Sequence, residues 1–236
     1  MCAKRSLPGG GSLGPGKKSR LDVDLVMMKI RQEYNERCSC RKNFKLCTIM
    51  QHMLYAYIDN RTLVDRRINE LVESGRLRAI RLGIQDEETA LVDLEEYVQF
   101  CLIKPKNLAL MEKFVGMVNL HPSQVYTREE LSEVFSEKDV SELVQMGVLT
   151  RRNIIGSYWL SVPGIGKFVK SLEKGRKALQ LHLRRSKFKQ LLRTSLEEKK
   201  FSQSNLSSTF LIDDAIGIDA VTVVESTCGA MLRLND

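Results

Sequence analysis

Three groupings of residues in this chain have the types and spacing to do chemistry. Pro163-Gly164-Ile165-Gly166-Lys167 carries the glycines and lysine of a loop that cradles phosphate on backbone N–H groups. Such a loop also needs a glycine five residues before its last one and a hydroxyl after the lysine. Ser161 and Phe168 stand there instead, so the stretch reads as a turn. Cys38, Cys40, Cys47 and His52 offer ligands for zinc, but their spacing is irregular and no second paired-cysteine arm follows. His52, His121 and His182 are too scattered to suggest a nucleophile with its base. No catalytic residue, metal or other cofactor is therefore expected, and the chemistry left to the chain is electrostatic.

Residues 167–200 hold twelve basic and three acidic side chains, a local charge of +9 in a chain whose formal total is +8. The remainder sums to about −1, so the basicity is a local device that suits a phosphate backbone or another anionic partner. On a helix advancing about 100° per residue, Ile165, Phe168, Val169, Leu172, Leu179 and Leu183 form an apolar seam. Lys167, Lys170, Lys174, Lys177, Arg184 and Arg185 fall on the other side, and Lys187, Lys189, Arg193, Lys199 and Lys200 extend the charge. A solvated face normally mixes signs, whereas only Glu173 intervenes before Glu197. Uncompensated cations point to an anion supplied from outside, and nucleic acid fits better than membrane. The seam is narrow and lacks the exposed aromatic anchors of an interfacial helix. Gly175 costs about 1 kcal/mol relative to Ala, so a kink or break is expected there.

An internal repeat positions this segment. Glu70-Leu71-Val72-Glu73-Ser74-Gly75-Arg76-Leu77 matches Glu142-Leu143-Val144-Gln145-Met146-Gly147-Val148-Leu149, seventy-two residues on. Each copy reads as an amphipathic helix that runs into a positive-φ glycine and then a strand. In the first copy, strands at 76–82 and 89–93 flank a turn; in the second, 148–151 pairs with 157–162. Helices at 23–36 and 48–59 precede the first copy, and helices at 108–119 and 127–135 the second. Three helices and a hairpin make a winged helix, a variant of helix-turn-helix. A third unit has a helix over 165–196, either helix or strand within 213–224, and a strand over 229–234, but no repeat signature. The expected fold is mainly α with small β-hairpin wings, an α+β arrangement of three tandem winged-helix domains at 22–105, 106–164 and 165–236.

Third helices usually read bases in such folds. Here residues 138–146 expose Asp139 and Glu142, and Asp213, Asp214 and Asp219 make the third copy acidic. The first offers Arg61, Arg66 and Arg67, diluted by Asp65, Glu70 and Glu73. One wing, 85–88, is acidic, while Arg151-Arg152-Asn153 is basic. Backbone and shape recognition by the 167–200 surface is expected to dominate over base readout. An adaptor whose basic face meets an acidic protein is the alternative. Hydrophobic content of 43% supports a real core, and no run of eighteen apolar residues could span a membrane. Residues 1–21 are rich in Gly and Pro and read as a disordered tail without a signal peptide. Its two clusters, Lys4-Arg5 and Lys17-Lys18-Ser19-Arg20, resemble a bipartite nuclear import signal. The six cysteines read as reduced intracellular thiols.

Several stretches resemble the family named serine/threonine kinase nineteen. They are Asn60-Arg61-Thr62 through Asp65-Arg66 to Leu71, and Gly147-Val148-Leu149-Thr150. They continue with Gly156-Ser157-Tyr158-Trp159-Leu160-Ser161-Val162-Pro163-Gly164, Phe168, Lys170, Lys174-Gly175-Arg176, Lys187 and residues 229–234. The resemblance implies a tandem winged-helix protein of the nucleus that binds double-stranded DNA. It implies a role in transcription-coupled nucleotide excision repair, between stalled RNA polymerase II and the repair helicase complex. It also implies nucleic-acid contacts at Lys170, Arg184 and Lys199, and dimerisation through one winged helix. Residues 37–47 depart from the family's pattern, so it implies no role for Cys38, Cys40 or Cys47. The kinase name finds no glycine-rich loop, strand lysine, H-R-D or D-F-G in this chain.

Overall fold

The computed structural model describes residues 22–37, 46–82 and 88–235. The chain traces one order of elements three times. The first pass is α1 (Val23–Arg37), β1 (Ile49–Met50), a 3-10 helix (Gln51–Ala56), α2 (Arg61–Glu73), β2 (Leu77–Arg81) and β3 (Thr89–Asp93), with α3 (Leu94–Cys101) as the connector. The second is α4 (Leu108–Leu120), β4 (Val125–Thr127), α5 (Arg128–Ser132), α6 (Glu137–Met146), β5 (Leu149–Arg151) and β6 (Ser157–Leu160). The third is α7 (Ile165–Arg184), β7 (Gln190–Leu192), α8 (Arg193–Glu197), α9 (Ser208–Gly217), β8 (Val221–Ser226) and β9 (Gly229–Leu234). Each pass forms an antiparallel sheet in the order first, third, second: β1-β3-β2, β4-β6-β5 and β7-β9-β8.

The repeat signature works as a helix stop. Gly75 and Gly147 both sit at φ 79°. After α2, the Gly75 N–H donates to Val72 O and the Arg76 N–H to Leu71 O; after α6, Gly147 and Val148 donate to Val144 O and Leu143 O. These paired bonds satisfy the last carbonyls and turn the chain into its strand. The third pass has the same stop without the glycine. Asp219, seventy-two residues beyond Gly147, has φ 56°. Its N–H donates to Ile216 O, and that of Ala220 to Ala215 O. Asp is among the few side chains that tolerate this region.

Several sequence expectations change. The helix expected over 48–59 is β1 followed by a 3-10 turn, and that over 127–135 is the end of β4 followed by α5. Residues 165–196 are not one helix: α7 ends at Arg184, and β7 and α8 follow. Within 213–224, α9 starts earlier, at Ser208, and stops at Gly217, after which the β-branched run at Val221 pairs with β9.

Gly175 neither kinks nor breaks α7. It is buried, and a Cβ built there would lie 2.4 and 2.7 Å from the Leu211 methyls of α9. The glycine leaves the space that the Leu211 side chain of α9 fills against α7. Gly175→Ala should therefore destabilise the fold by about 1–3 kcal/mol through overpacking. On an open helix the same change would stabilise by about 1 kcal/mol. The sign of the shift in urea midpoint decides between them.

The passes share one continuous core. Polar bonds also join them: Tyr97 Oη donates to Ser161 O at 3.0 Å, and Arg78 Nη2 to Val118 O at 2.7 Å. Helix α9 lies almost wholly inside, packed against the 3-10 helix of the first pass.

Candidate nucleic-acid interface

Helix α7 starts at Gly164, whose φ of 76° turns the chain sharply out of the second hairpin. Its apolar residues face inward: Phe168, Leu172, Leu179 and Leu183 are buried, with Val169 half-buried and Ile165 packed against the core. Phe168 stands edge-on to Phe210 of α9, ring centroids 6.1 Å apart. Lys167, Lys170, Lys174, Lys177, Arg184 and Arg185 are all exposed, as the period requires. Lys187, Lys189, Lys199 and Lys200 are exposed beyond the helix. Among the described residues, no carboxylate pairs with Lys167, Lys170, Lys174, Lys177, Arg184, Arg185, Lys187 or Lys200. The Lys199 ammonium lies about 3 Å from the His182 ring nitrogens. Burial first, then Lys199 and Arg185, holds the His182 pKa below its ordinary value.

Two of the twelve cations counted in the sequence do not belong to this surface. Arg176 points inward and holds Asp214 with two bonds, Nε to Oδ2 at 2.7 Å and Nη2 to Oδ1 at 2.8 Å. Its Nη1 reaches Glu88 Oε1 at 2.6 Å. Arg193 bonds Asp213 Oδ1 at 3.0 Å and Glu197 Oε1 at 2.7 Å. For Arg176 a signal was available, because it follows Leu172 by four residues and precedes Leu179 by three, on the seam side. Arg193 gave no such signal, since its partner Asp213 comes from another element.

The acidic pair Asp213-Asp214 is not a surface that repels phosphate, as the sequence suggested. Both side chains are interior. Asp214 also meets His52 Nε2 at 2.8 Å, and Asp213 Oδ2 accepts from Tyr57 Oη at 2.5 Å. His52 is thus committed to a carboxylate, and Cys47 is a buried thiol; Cys38 and Cys40 lie outside the described residues. Neighbouring carboxyls here shift in opposite directions. Burial pushes Asp213 up to about 6 despite Tyr57 and Arg193. Asp214 falls below its usual range because its bonds to Arg176 and His52 outweigh its burial.

None of the three third helices offers a free basic face. On α2, Arg61 pairs with Asp219, Arg66 with Glu70, and Arg67 with Asp24 and Glu70. Helix α6 exposes Glu137 and Lys138, with Asp139 capping its start at Ser136. Helix α9 is buried. In the first hairpin, residues 83–87 are outside the described set, and Glu88 is turned inward to Arg176.

The second hairpin is basic and braced by side-chain contacts. Arg152 stacks over Trp159 at 4.2 Å from the ring centroid and bonds Ser157 Oγ at 3.2 Å; Arg81 of β2 approaches the same ring at 5.1 Å. Arg151 is exposed and shares a cleft with Gly164, Ile165 and Gly166 at the start of α7. The basic hairpin and the basic helix therefore adjoin. The clusters at Lys4, Arg5, Lys17, Lys18 and Arg20 lie outside the described residues. Among the described residues, no helix is long and apolar enough to cross a membrane.

Fold and surface together define a helix-rich α+β protein with small antiparallel hairpins and one exposed cationic helix. The family model described as inactive serine-threonine protein kinase 19 matches residues 27–234, and the chain belongs to that family. It is 32% identical over 194 residues to "Winged helix repair factor 1" of Xenopus laevis, covering 79% of this chain and 74% of that protein. The Homo sapiens protein of the same name is 29% identical over 193 residues, covering 79% and 76%. "Serine/threonine-protein kinase mug51" of Schizosaccharomyces pombe is 26% identical over 192 residues, covering 74% and 62%.

Proposed function

We propose that this chain is a non-enzymatic scaffold that binds double-stranded DNA through α7 and the second hairpin. One observation carries the reading: six exposed cations along one face of a single helix, with no carboxylate partner among the described residues and a packed apolar seam behind them. Such a face gains most from a regular row of phosphates. The binding set is Lys167, Lys170, Lys174, Lys177, Arg184, Arg185, Lys187, Lys189, Lys199 and Lys200, joined by Arg151 and Arg152. Three winged-helix units at 22–105, 106–164 and 165–236 are the division we infer, and the threefold recurrence of sheet order supports it. The names of the relatives support a role in repair. The finer role we infer is transcription-coupled nucleotide excision repair in the nucleus, bridging stalled RNA polymerase II and the repair helicase complex. Duplex RNA offers the same phosphates, and a second copy of the chain is a further partner to test.

A salt titration tests the binding. If six to ten phosphates are neutralised, duplex affinity should fall about 10³–10⁵-fold between about 50 and 200 mM salt. Bubble and single-stranded DNA, run beside the duplex, report the preferred structure. Failure to bind any duplex at physiological salt would favour the adaptor reading. That second reading has its own support in α6, where Glu137 is exposed on the face other winged helices turn to DNA.

A further inference from the structure

The second hairpin ends in a feature that backbone binding does not use. Its tip is Asn153-Ile154-Ile155-Gly156, where Ile154 is 59% and Ile155 100% exposed. Single exposed apolar residues are ordinary, but adjacent β-branched ones at the apex of a turn are not turn chemistry. The turn itself is made by Gly156 at φ 74°, whose carbonyl accepts from the Arg128 N–H at 2.7 Å. The Ser157 N–H donates to Ile154 O at 3.2 Å and closes it, a backbone bond that leaves both isoleucine side chains uninvolved. Nor are they folded down into the core. Beneath the hairpin runs a groove floored by Leu131, Phe135, Val140 and Val144, which leaves Ile155 fully in solvent.

What flanks the tip indicates what covers it. Arg151 and Arg152 precede the isoleucines, and neither has a carboxylate partner among the described residues. The hairpin is braced by the stacking of Arg152 on Trp159, and its base meets the α7 N-terminus in a shared cleft. Arg151 adjoins the start of α7, and the isoleucines follow it in the turn at the rim of the groove over α5 and α6, so a duplex that extends past the α7 N-terminus would meet arginine first and the branched apolar side chains beyond it. The minor groove, about 6 Å wide, admits a hairpin tip and not a helix. Proteins that kink DNA insert Ile, Leu or Phe between base pairs there, with arginines on the flanking phosphates.

We propose that Ile154 and Ile155 form a minor-groove wedge that unstacks a base step and kinks the duplex held by α7. The proposal rests on the duplex-binding reading and extends it from holding DNA to deforming it. Flexible pyrimidine–purine steps are its preferred substrate, because they unstack most readily.

The test uses the full chain and a short duplex with 2-aminopurine at a central TA step and a donor–acceptor pair at its ends. The wild type should raise 2-aminopurine fluorescence and shorten the end-to-end distance. Ile154→Ser/Ile155→Ser should lose both signals while keeping the salt slope, and Ile154→Leu/Ile155→Leu should keep all three. Because the tip is solvent-exposed, both variants should melt with the wild type. Steep salt-dependent binding with no unstacking by the wild type would overturn the wedge and leave the duplex reading intact. Unchanged signals in the serine variant would do the same. If no duplex binds at all, both readings fall, and an apolar pocket on a protein becomes the occupant to seek.

Discussion

Arg176→Ala should lower the stability of the fold by about 3–5 kcal/mol, the cost of leaving buried charge without its partner. In a chain of this size that is a fall in Tm on the order of 10 °C. The Arg176 side chain is only 13% exposed, and those of Asp214 and Glu88 are 0% and 9% exposed. Removing the guanidinium would leave Asp214 with His52 alone, and Glu88, whose Oε2 already has no hydrogen-bond partner, without an ion-pair partner among the described residues. A double-mutant cycle separates lost pairing from lost packing. Arg176→Met with Asp214→Leu should recover only the part of the loss owed to the Asp214 charge, since apolar residues of similar volume often replace a buried pair without cost while Glu88 stays without its guanidinium. Acid unfolding supplies a second signature. Asp214 has a depressed folded pKa, so its stabilising contribution is present above the unfolded value near 3.8 and is lost as pH falls through the folded one. In Arg176→Ala that depression should shrink, and the acid limb should flatten below about pH 4. An Arg176→Ala protein as stable as wild type would show that this network does not lock the first and third passes together.

How much of this was legible in the sequence depended on whether a signal was local. Gly75 and Gly147 announced two helix stops, because glycine at an apolar-periodic helix end has one common use. The third stop was hidden by Asp219, a residue with many other uses, although it keeps the same seventy-two-residue interval. The opening strands β1, β4 and β7 run only two or three residues, too short for alternation to show, and they came out as helix or were missed. The basic face of α7 was legible because both its stripes follow one period. The role of Gly175 was not, because it is set by Leu211 on another helix. The same holds for the acidic third helix. Asp213 and Asp214 read as a surface in the sequence, and only the packing of α9 against Tyr57, His52, Arg176 and Arg193 shows them as interior. Local periodicity assigns a side chain to a face of its own helix, but whether that face meets water is decided elsewhere in the chain.

Reversing Lys170 and Arg184 together, as Lys170→Glu/Arg184→Glu, should weaken duplex binding by about two orders of magnitude at physiological salt and reduce the salt slope by about 2. The residues are fourteen positions apart on one helix face, about 21 Å along its axis, so on the proposed reading they would hold two separated points of the duplex. Each reversal would remove a proposed phosphate contact and set an anion in its place, and the loss should be uniform across DNA sequences. Neither cation has a carboxylate partner among the described residues, so no buried charge is stranded and stability should stay within about 0.5 kcal/mol of wild type. That contrast with Arg176 distinguishes the two kinds of cation on α7. One is bound into the interior and the other faces solvent, and a single helix carries both because 3.6 residues per turn sends them to opposite sides. Lys138→Glu, on exposed α6, is the control for net charge, since it changes the sign of a cation outside the proposed surface. If the control weakens binding as much as one α7 reversal, long-range attraction to the whole molecule accounts for the affinity. If it leaves binding unchanged while the α7 pair abolishes it, the duplex lies along this helix.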